Sequence, residues 1–179
     1  MSDMARGVRG HAAELRCAFD RGFAEPLREE QAAATALLAV RVGGQPCAMR
    51  LTEIAGLSAD KTTIRIPGSD AALIGVAGFR GAIVPVYSLQ ALLGYSPAPQ
   101  TRWLVIAAAA PVALAFEALQ GQLNVAADAI LAAPKRDTMP GFARDFVRTE
   151  NFSGPVLHIA SLLDVIRNRR GEAVPREEQ

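Results

Sequence analysis

From about residue 36 onward the chain is written in short apolar runs separated by Gly, Pro, Ser, Asp and Gln. Runs at 37–42, 47–51, 62–66, 82–87, 103–109, 112–116 and 156–159 have strand length and turn residues at their borders, which predicts a compact chain of several β-strands. Gly43-Gly44 and Ala110-Pro111 each stand between two such runs, where a tight turn joins antiparallel strands. The ends have another texture. Residues 1–35 are rich in Ala, Arg and Glu and place Leu15, Phe19 and Phe23 four apart on one helix face, with Pro26 as a stop. This predicts a short helical extension packed on its own domain; a detachable, partner-binding helix would have the same spacing and is the alternative. Two further helical segments are predicted at 89–93 and 161–170. In the second, Leu162, Leu163 and Ile166 share a face, and Arg167, Arg169 and Arg170 suit the negative end of the helix dipole. Residues 171–179 read as a polar tail.

The pattern also repeats. Pro46-x-Ala48-Met49-x-Leu51-x-x-Ile54-x-Gly56 matches Pro111-x-Ala113-Leu114-x-Phe116-x-x-Leu119-x-Gly121 at an offset of 111 − 46 = 65. Pro85-Val86 and Leu92-Leu93 recur as Pro155-Val156 and Leu162-Leu163 at an offset of 155 − 85 = 70. Two matches in the same order point to duplicated β units. A unit of this size buries a limited core, so the two are expected to pack side by side as small barrels through a shared apolar layer.

Composition narrows the classes of function. The chain has 179 residues, half of them apolar, which is enough for a sizeable core. With 19 basic against 18 acidic residues the formal charge is +1, and no cationic block marks a nucleic-acid or lipid surface. Cys17 and Cys47 have no metal or redox spacing and read as reduced thiols. The first residues lack an apolar signal core, and the apolar run 104–116 is too short to span a bilayer, so a cytoplasmic protein with no direct membrane insertion is expected.

Groups for catalysis are few, and neither a cofactor site nor a metal site is expected. Of the two histidines, His158 sits in an apolar run as an outward-facing strand residue without a second metal ligand. His11, near Glu14, reads as a solvated helix residue, with a phosphoacceptor as the alternative. The run Gly75-Val76-Ala77-Gly78-Phe79-Arg80-Gly81 lacks the Gly-Lys-Ser/Thr ending of a phosphate loop and leads into a β-like run instead of a helix. What it offers is a glycine-punctuated bend between apolar strands with Phe79 and Arg80 at its crest. A guanidinium fixed there can bond directionally to a partner's carboxylates or carbonyls, or pair internally and hold the bend together.

Residues Leu73-Ile74-Gly75-Val76-Ala77-Gly78-Phe79-Arg80-Gly81-Ala82-Ile83-Val84-Pro85-Val86-Tyr87-Ser88-Leu89 resemble the signature of the CheW-like chemotaxis coupling family, roughly I-x-G-V-x-N-L-R-G-x-I-V-P-V-x-D-L. The likeness runs from about Leu37 to Leu163. Upstream, 47–57 is similar to the family's second strand and following turn; downstream, Leu114-Ala115-Phe116-Glu117-Ala118-Leu119 resembles its repeated G-L-x-V-D-x-V segment. The resemblance implies a mainly β fold of two SH3-like five-stranded barrels side by side, with the N-terminal extension at 1–35, the CheW-like domain at 36–170 and the tail at 171–179. It implies no cofactor and no catalysis. The implied role is a scaffold that couples the cytoplasmic tip of a chemoreceptor to the regulatory domain of a histidine kinase, in the cytoplasm and held at receptor arrays through protein contacts. A similar module serving another regulatory or motility complex is the alternative. With no segment for a receiver or kinase region, a stand-alone coupler is expected.

The residues implied for partner binding or for shaping the bend are Gly75, Gly78, Phe79, Arg80, Gly81, Val84 and Pro85, followed by Glu53, Ile54 and Glu117. Arg80 matches the signature arginine. The chain departs from the pattern at Gly78, where asparagine is usual, and at Ser88, where aspartate is usual. It departs again at Gly56, where the family often carries a glutamate and the nearest acid is Glu53. That last departure removes support for an internal ion pair with Arg80.

Overall fold

A computed structural model describes residues 34–67, 70–96, 101–132 and 141–172, with side chains through Arg169. The helical reading of 1–33 and the tail beyond residue 172 lie outside the described residues. The described chain is mainly β. Its strands are β1 (Thr35–Val42), β2 (Gln45–Arg50), β3 (Ile54–Ala59), β4 (Leu73–Phe79), β5 (Ala82–Ser88), β6 (Trp103–Ala107), β7 (Ala113–Phe116), β8 (Ala118–Val125), β9 (Ile130–Ala132), β10 (Ala143–Arg148) and β11 (Ser153–Leu157). Two helices follow strands directly: α1 (Leu89–Leu92) after β5 and α2 (Ile159–Glu172) after β11.

The strands form two SH3-like barrels, one of five strands in the order β3-β6-β7-β5-β4 and one of six in the order β8-β1-β2-β11-β10-β9. The five-stranded barrel is the contiguous run from β3 to β7, whereas the six-stranded barrel joins β1 and β2 to β8–β11 across it. The first hairpin, β1-β2, is held in the six-stranded barrel between β8 and β11, while β6-β7 is held in the five-stranded barrel between β3 and β5. The two halves of the duplicated sequence therefore exchange their leading hairpins.

The registers reproduce the sequence offsets. Ala48 of β2 pairs in parallel with Val156 of β11, and Ala113 of β7 pairs in parallel with Val86 of β5, so partners correspond at 113 − 48 = 65 and 156 − 86 = 70. The bulges correspond as well. Between Leu73 and Gly75 the β4/β5 register skips Ile74, and between Ala143 and Asp145 the β10/β11 register skips Arg144. A bulge bends its strand and increases twist, which is what curls so short a sheet. Pro85 and Pro155 each stand one residue before a parallel ladder, where a missing N–H costs no ladder bond.

Alternation along the exchanged hairpins divides the core into three. Leu37, Ala39 and Ala48 face the inside of the six-stranded barrel with Val125, Val147, Phe152 and Val156. Leu104, Ile106, Ala113 and Ala115 do the same in the five-stranded barrel with Ala77, Val84 and Val86. The intervening residues, among them Leu38, Val40, Met49, Val105, Leu114 and Phe116, point into a layer between the barrels with Tyr87, Leu157, Leu162 and Ile166. That layer holds 19 buried side chains against seven inside each barrel among the described residues, so most of the apolar stabilisation belongs to the pair and not to either member.

The structure corrects several local readings. The 62–66 run is no strand; only Ile64 pairs, in a single bridge to Val76, because this segment crosses β4 at its bulge and the ladder does not propagate. His158 is not a strand residue either. It links β11 to α2, its N–H donating to the Phe142 carbonyl and its Nδ1 lying 3.0 Å from Ser161 Oγ. One barrel has six strands instead of five, since β9 adds three residues along β10. Finally β1 opens at Thr35, inside the range 1–35 given to the helical extension.

Candidate partner-docking site

The signature segment is the β4-β5 hairpin. Phe79 pairs with Ala82, leaving Arg80 (φ 47°) and Gly81 (φ 82°) as a two-residue turn with positive φ at both places, the mark of a type I′ hairpin. Gly81 takes this conformation freely, whereas an L side chain there meets its own backbone at a cost of about 1–2 kcal/mol. Arg80 bears that cost. Its guanidinium carbon lies 5.3 Å from the Phe79 ring centroid, and among the described residues it has no ion-pair partner. The internal pairing considered for Arg80 is thus replaced by stacking on its neighbour.

Phe79 is fixed from the other side by Gly56, where an added Cβ would come within 2.5 Å of the ring. The glycine that stands where the family often has a glutamate is what admits the aromatic ring. At the base of the hairpin, Gly75 (φ 156°) is covered by the 61–67 segment: a Cβ there would meet the Ile64 carbonyl oxygen at 2.1 Å. Gly78 is exposed with open space around it. Along β5 the side chains alternate. Val84 is buried in the barrel core, Pro85 is half-buried on the outer face, and Ile83 is 77% exposed.

Ile83 and Pro85 form one wall of an apolar groove of about 240 Å³, with Pro111 and Val112 of the β6-β7 turn and Leu163 and Ile166 of α2 completing it and Arg167 at its rim. The hairpin was legible in sequence; the groove was not, because its walls come from segments far apart in the chain. The signal that could have pointed to it is Ile83, an apolar residue on the outer face of a strand whose inner face is already Val84 and Val86.

Glu53, Ile54 and Glu117 lie elsewhere, at the two crossovers where the chain passes between barrels. Glu53 Oε2 accepts the Ile159 N–H at 2.7 Å, so it caps α2; its Oε1 lies 3.6 Å from His158 Nε2. Its backbone carbonyl accepts the Ala108 N–H. Glu117, at the β7-β8 crossover, accepts the Gly44 N–H with Oε1 at 2.9 Å and the Gln90 side-chain amide with Oε2 at 2.8 Å. Ile54 is half-buried against the shared layer. These residues join the barrels to one another and are not brought together with Arg80.

Titratable side chains also gather in a cleft of about 210 Å³ between β2, β10 and β11, lined by Arg50, Glu53, Arg144, Asp145 and His158. Its carboxylates are engaged: Asp145 with Arg50 at 2.5 Å, Glu53 with α2. Burial pushes the Cys47 thiol up to about 11, which keeps it protonated and unreactive at neutral pH. Among the described residues no three His, Cys, Asp or Glu side chains converge to hold a metal ion, and no helix is long and apolar enough to cross a membrane.

A strand-exchanged pair of small barrels, with a strained arginine at a hairpin crest and an apolar groove beside it, is a binding module in form. Residues 36–167 match the CheW-like domain model, and the chain belongs to this family. It is 30% identical over 103 residues to a probable chemotaxis protein CheW of Rhizobium etli, a stretch covering 55% of this chain and 66%, just under two thirds, of that relative. The fold is similar to the crystal structure of the scaffolding protein TtCheW from Thermoanaerobacter tengcongensis, with a TM-score of 0.64 and 15% identity over 70% of this chain and 91% of that one.

Proposed function

We propose that this chain is a non-catalytic scaffold of chemotactic or chemosensory signalling that couples the cytoplasmic tip of a chemoreceptor to the regulatory domain of a histidine kinase. The observation that carries the reading is Arg80. A two-residue type I′ turn takes Asn or Gly most readily at its first position, yet the chain holds an arginine there at an energetic cost and leaves its charge unpaired among the described residues. An outlier of that kind is a reason to look for a partner. The groove on the same hairpin suits one face of an amphipathic helix, with apolar walls for its anchors and Arg167 at its rim for an acid. A scaffold of this type acts by holding partners in a set geometry at high effective concentration, in the cytoplasm beside membrane receptors. Within it, the coupling domain begins by Thr35, the first residue of β1, and the residues before it are an extension.

The test separates turn geometry from recognition. Arg80→Asn keeps a residue that tolerates positive φ, and should leave the melting temperature unchanged or slightly higher. Tagged wild type, Arg80→Asn and Arg80→Glu are compared in pull-downs from the native lysate with identification by mass spectrometry. A receptor and a histidine kinase should be recovered by wild type and be lost with both variants. Recovery of the same partners by folded Arg80→Glu would sink the interface assignment. Recovery of neither by folded wild type would mean that the fold serves another complex.

A further inference from the structure

At the far end of the five-stranded barrel the 61–67 segment runs along the open side of β4, touching it through the Ile64–Val76 bridge. Both backbone groups of Ile64 are used there, its N–H donating to the Val76 carbonyl and its carbonyl accepting the Val76 N–H. Thr63 and Arg65, on either side, make no backbone hydrogen bond among the described residues. The outer edge is therefore an unfilled row of donors and acceptors. Its side chains alternate. Lys61, Thr63 and Arg65 line a trench of about 400 Å³ with Asp60, Ile74, Thr101 and Arg102, while Ile64 (67% exposed) and Ile66 (43% exposed) stand outside that lining.

The trench is basic in a chain whose formal charge is only +1. Arg102 is paired with Asp60 at 3.0 Å, whereas Lys61 and Arg65 have no ion-pair partner among the described residues. The equivalent edge of the other barrel, β9, also shows an exposed apolar residue, Leu131 at 52%, but residues 126–132 contain no cation. The charge thus belongs to one edge and not to the plan of the barrel. It also selects the occupant, since like charges opposed across a new strand pair repel a second copy of the same edge and favour an acidic strand.

We propose that the 61–66 edge is a strand-addition site for an extended segment of another protein in which acidic and apolar residues alternate, the acids meeting Lys61 and Arg65 and the apolar residues meeting Ile64 and Ile66. Backbone bonds supply the attachment and the alternating side chains the selection. This site lies along the outer side of β4 at the base of the hairpin, not at its Arg80 crest, and stands whether or not the coupling role is correct.

The probe is a fluorescein-labelled peptide of alternating Glu and Val, read by fluorescence anisotropy against the full chain at low and at moderate salt. The peptide should bind, and Lys61→Glu/Arg65→Glu should weaken it by about a hundredfold with no change in melting temperature, both side chains being exposed. Should the reversal lower the melting temperature, the neutral pair Lys61→Gln/Arg65→Gln reads the same dependence and should weaken binding by about tenfold. A Glu/Val peptide with alternate amides N-methylated should bind about as weakly as a Lys/Val peptide. No binding of the Glu/Val peptide, or binding insensitive to both substitutions, overturns the proposal. Equal binding of the N-methylated peptide overturns it too, by showing attraction of charge without strand addition.

Discussion

At the bulge of β4 stands Gly75, and seventy positions on, at the bulge of β10, stands Asp145. The place in the barrel is the same and the demands are opposite. Gly75 lies beneath the Ile64 carbonyl with no room for a Cβ, whereas Asp145 reaches out to Arg50 of the exchanged hairpin. The five-stranded barrel uses its bulge to seat an edge segment; the six-stranded barrel uses the same bulge to bind the other half of the chain. Duplication set the backbone plan, and the side chains then divided the work.

The substitution that breaks this comparison most sharply is Gly75→Ala. A Cβ at 2.1 Å from a backbone oxygen, in a conformation that disfavours L residues, must displace the 61–67 segment. We expect a loss of about 3–4 kcal/mol in urea unfolding, against under about 1 kcal/mol for Asp145→Ala. Comparable losses at the two sites would mean that the bulges are equivalent after all.

Next comes Cys47, whose counterpart in the other barrel is Val112, 112 − 47 = 65 positions on. The folded chain raises the thiol from its ordinary value of 9.0 to about 11 by burial. A raised pKa means stability that is whole below pH 9 and is lost as pH climbs through 11. Cys47→Val, which makes the two barrels alike here, should remove about 2 kcal/mol of that alkaline loss, measured as the difference between the two proteins' unfolding free energies across this range. Parallel pH curves would show that the thiol does not contribute.

The crossover glutamates give a smaller contrast. Glu53→Ala strips the cap from α2 and should cost about 1–2 kcal/mol, while Glu117→Ala releases the exposed Gly44 N–H and one contact to Gln90 and should cost less than about 1 kcal/mol. Thermal denaturation of the two variants side by side decides the order. Smallest of all is Arg50→Met: a half-exposed ion pair is worth under about 1 kcal/mol, so chemical denaturation should barely move.

What the sequence disclosed follows from which contacts are local. The tight turns at Gly43-Gly44 and Ala110-Pro111, the apolar cores of β1, β5, β6 and β7, the α2 face and the duplication itself are written in adjacent residues. Strands β4, β8 and β10 were hidden by what they carry. Glycines in β4 read as a bend, Gln120, Gln122 and Asn124 gave β8 a polar face, and Arg144, Asp145 and Arg148 masked β10. Of the site, the Arg80 hairpin was readable because a turn is local. The groove beside it, the Glu53 cap on Ile159 and the hairpin exchange join residues far apart in the chain, and no local pattern encodes which partner a strand will take. The family signature is informative for the same reason: it marks the one stretch where backbone geometry and candidate function coincide.

The exchange of hairpins has a consequence for synthesis. Strand β2 needs β11 as its second neighbour, and Ala48 waits for Val156, a separation of 156 − 48 = 108 positions. At roughly 5–20 residues per second, the ribosome takes on the order of 5 to 20 seconds to deliver it. Throughout that interval the edge of β2 stays open, although β8 can join β1 earlier, and that edge is what a chaperone would meet. The five-stranded barrel has all its strands once β7 has emerged, so the chain completes the barrel in the middle of its sequence first, and the one that holds its opening strands closes only with β11.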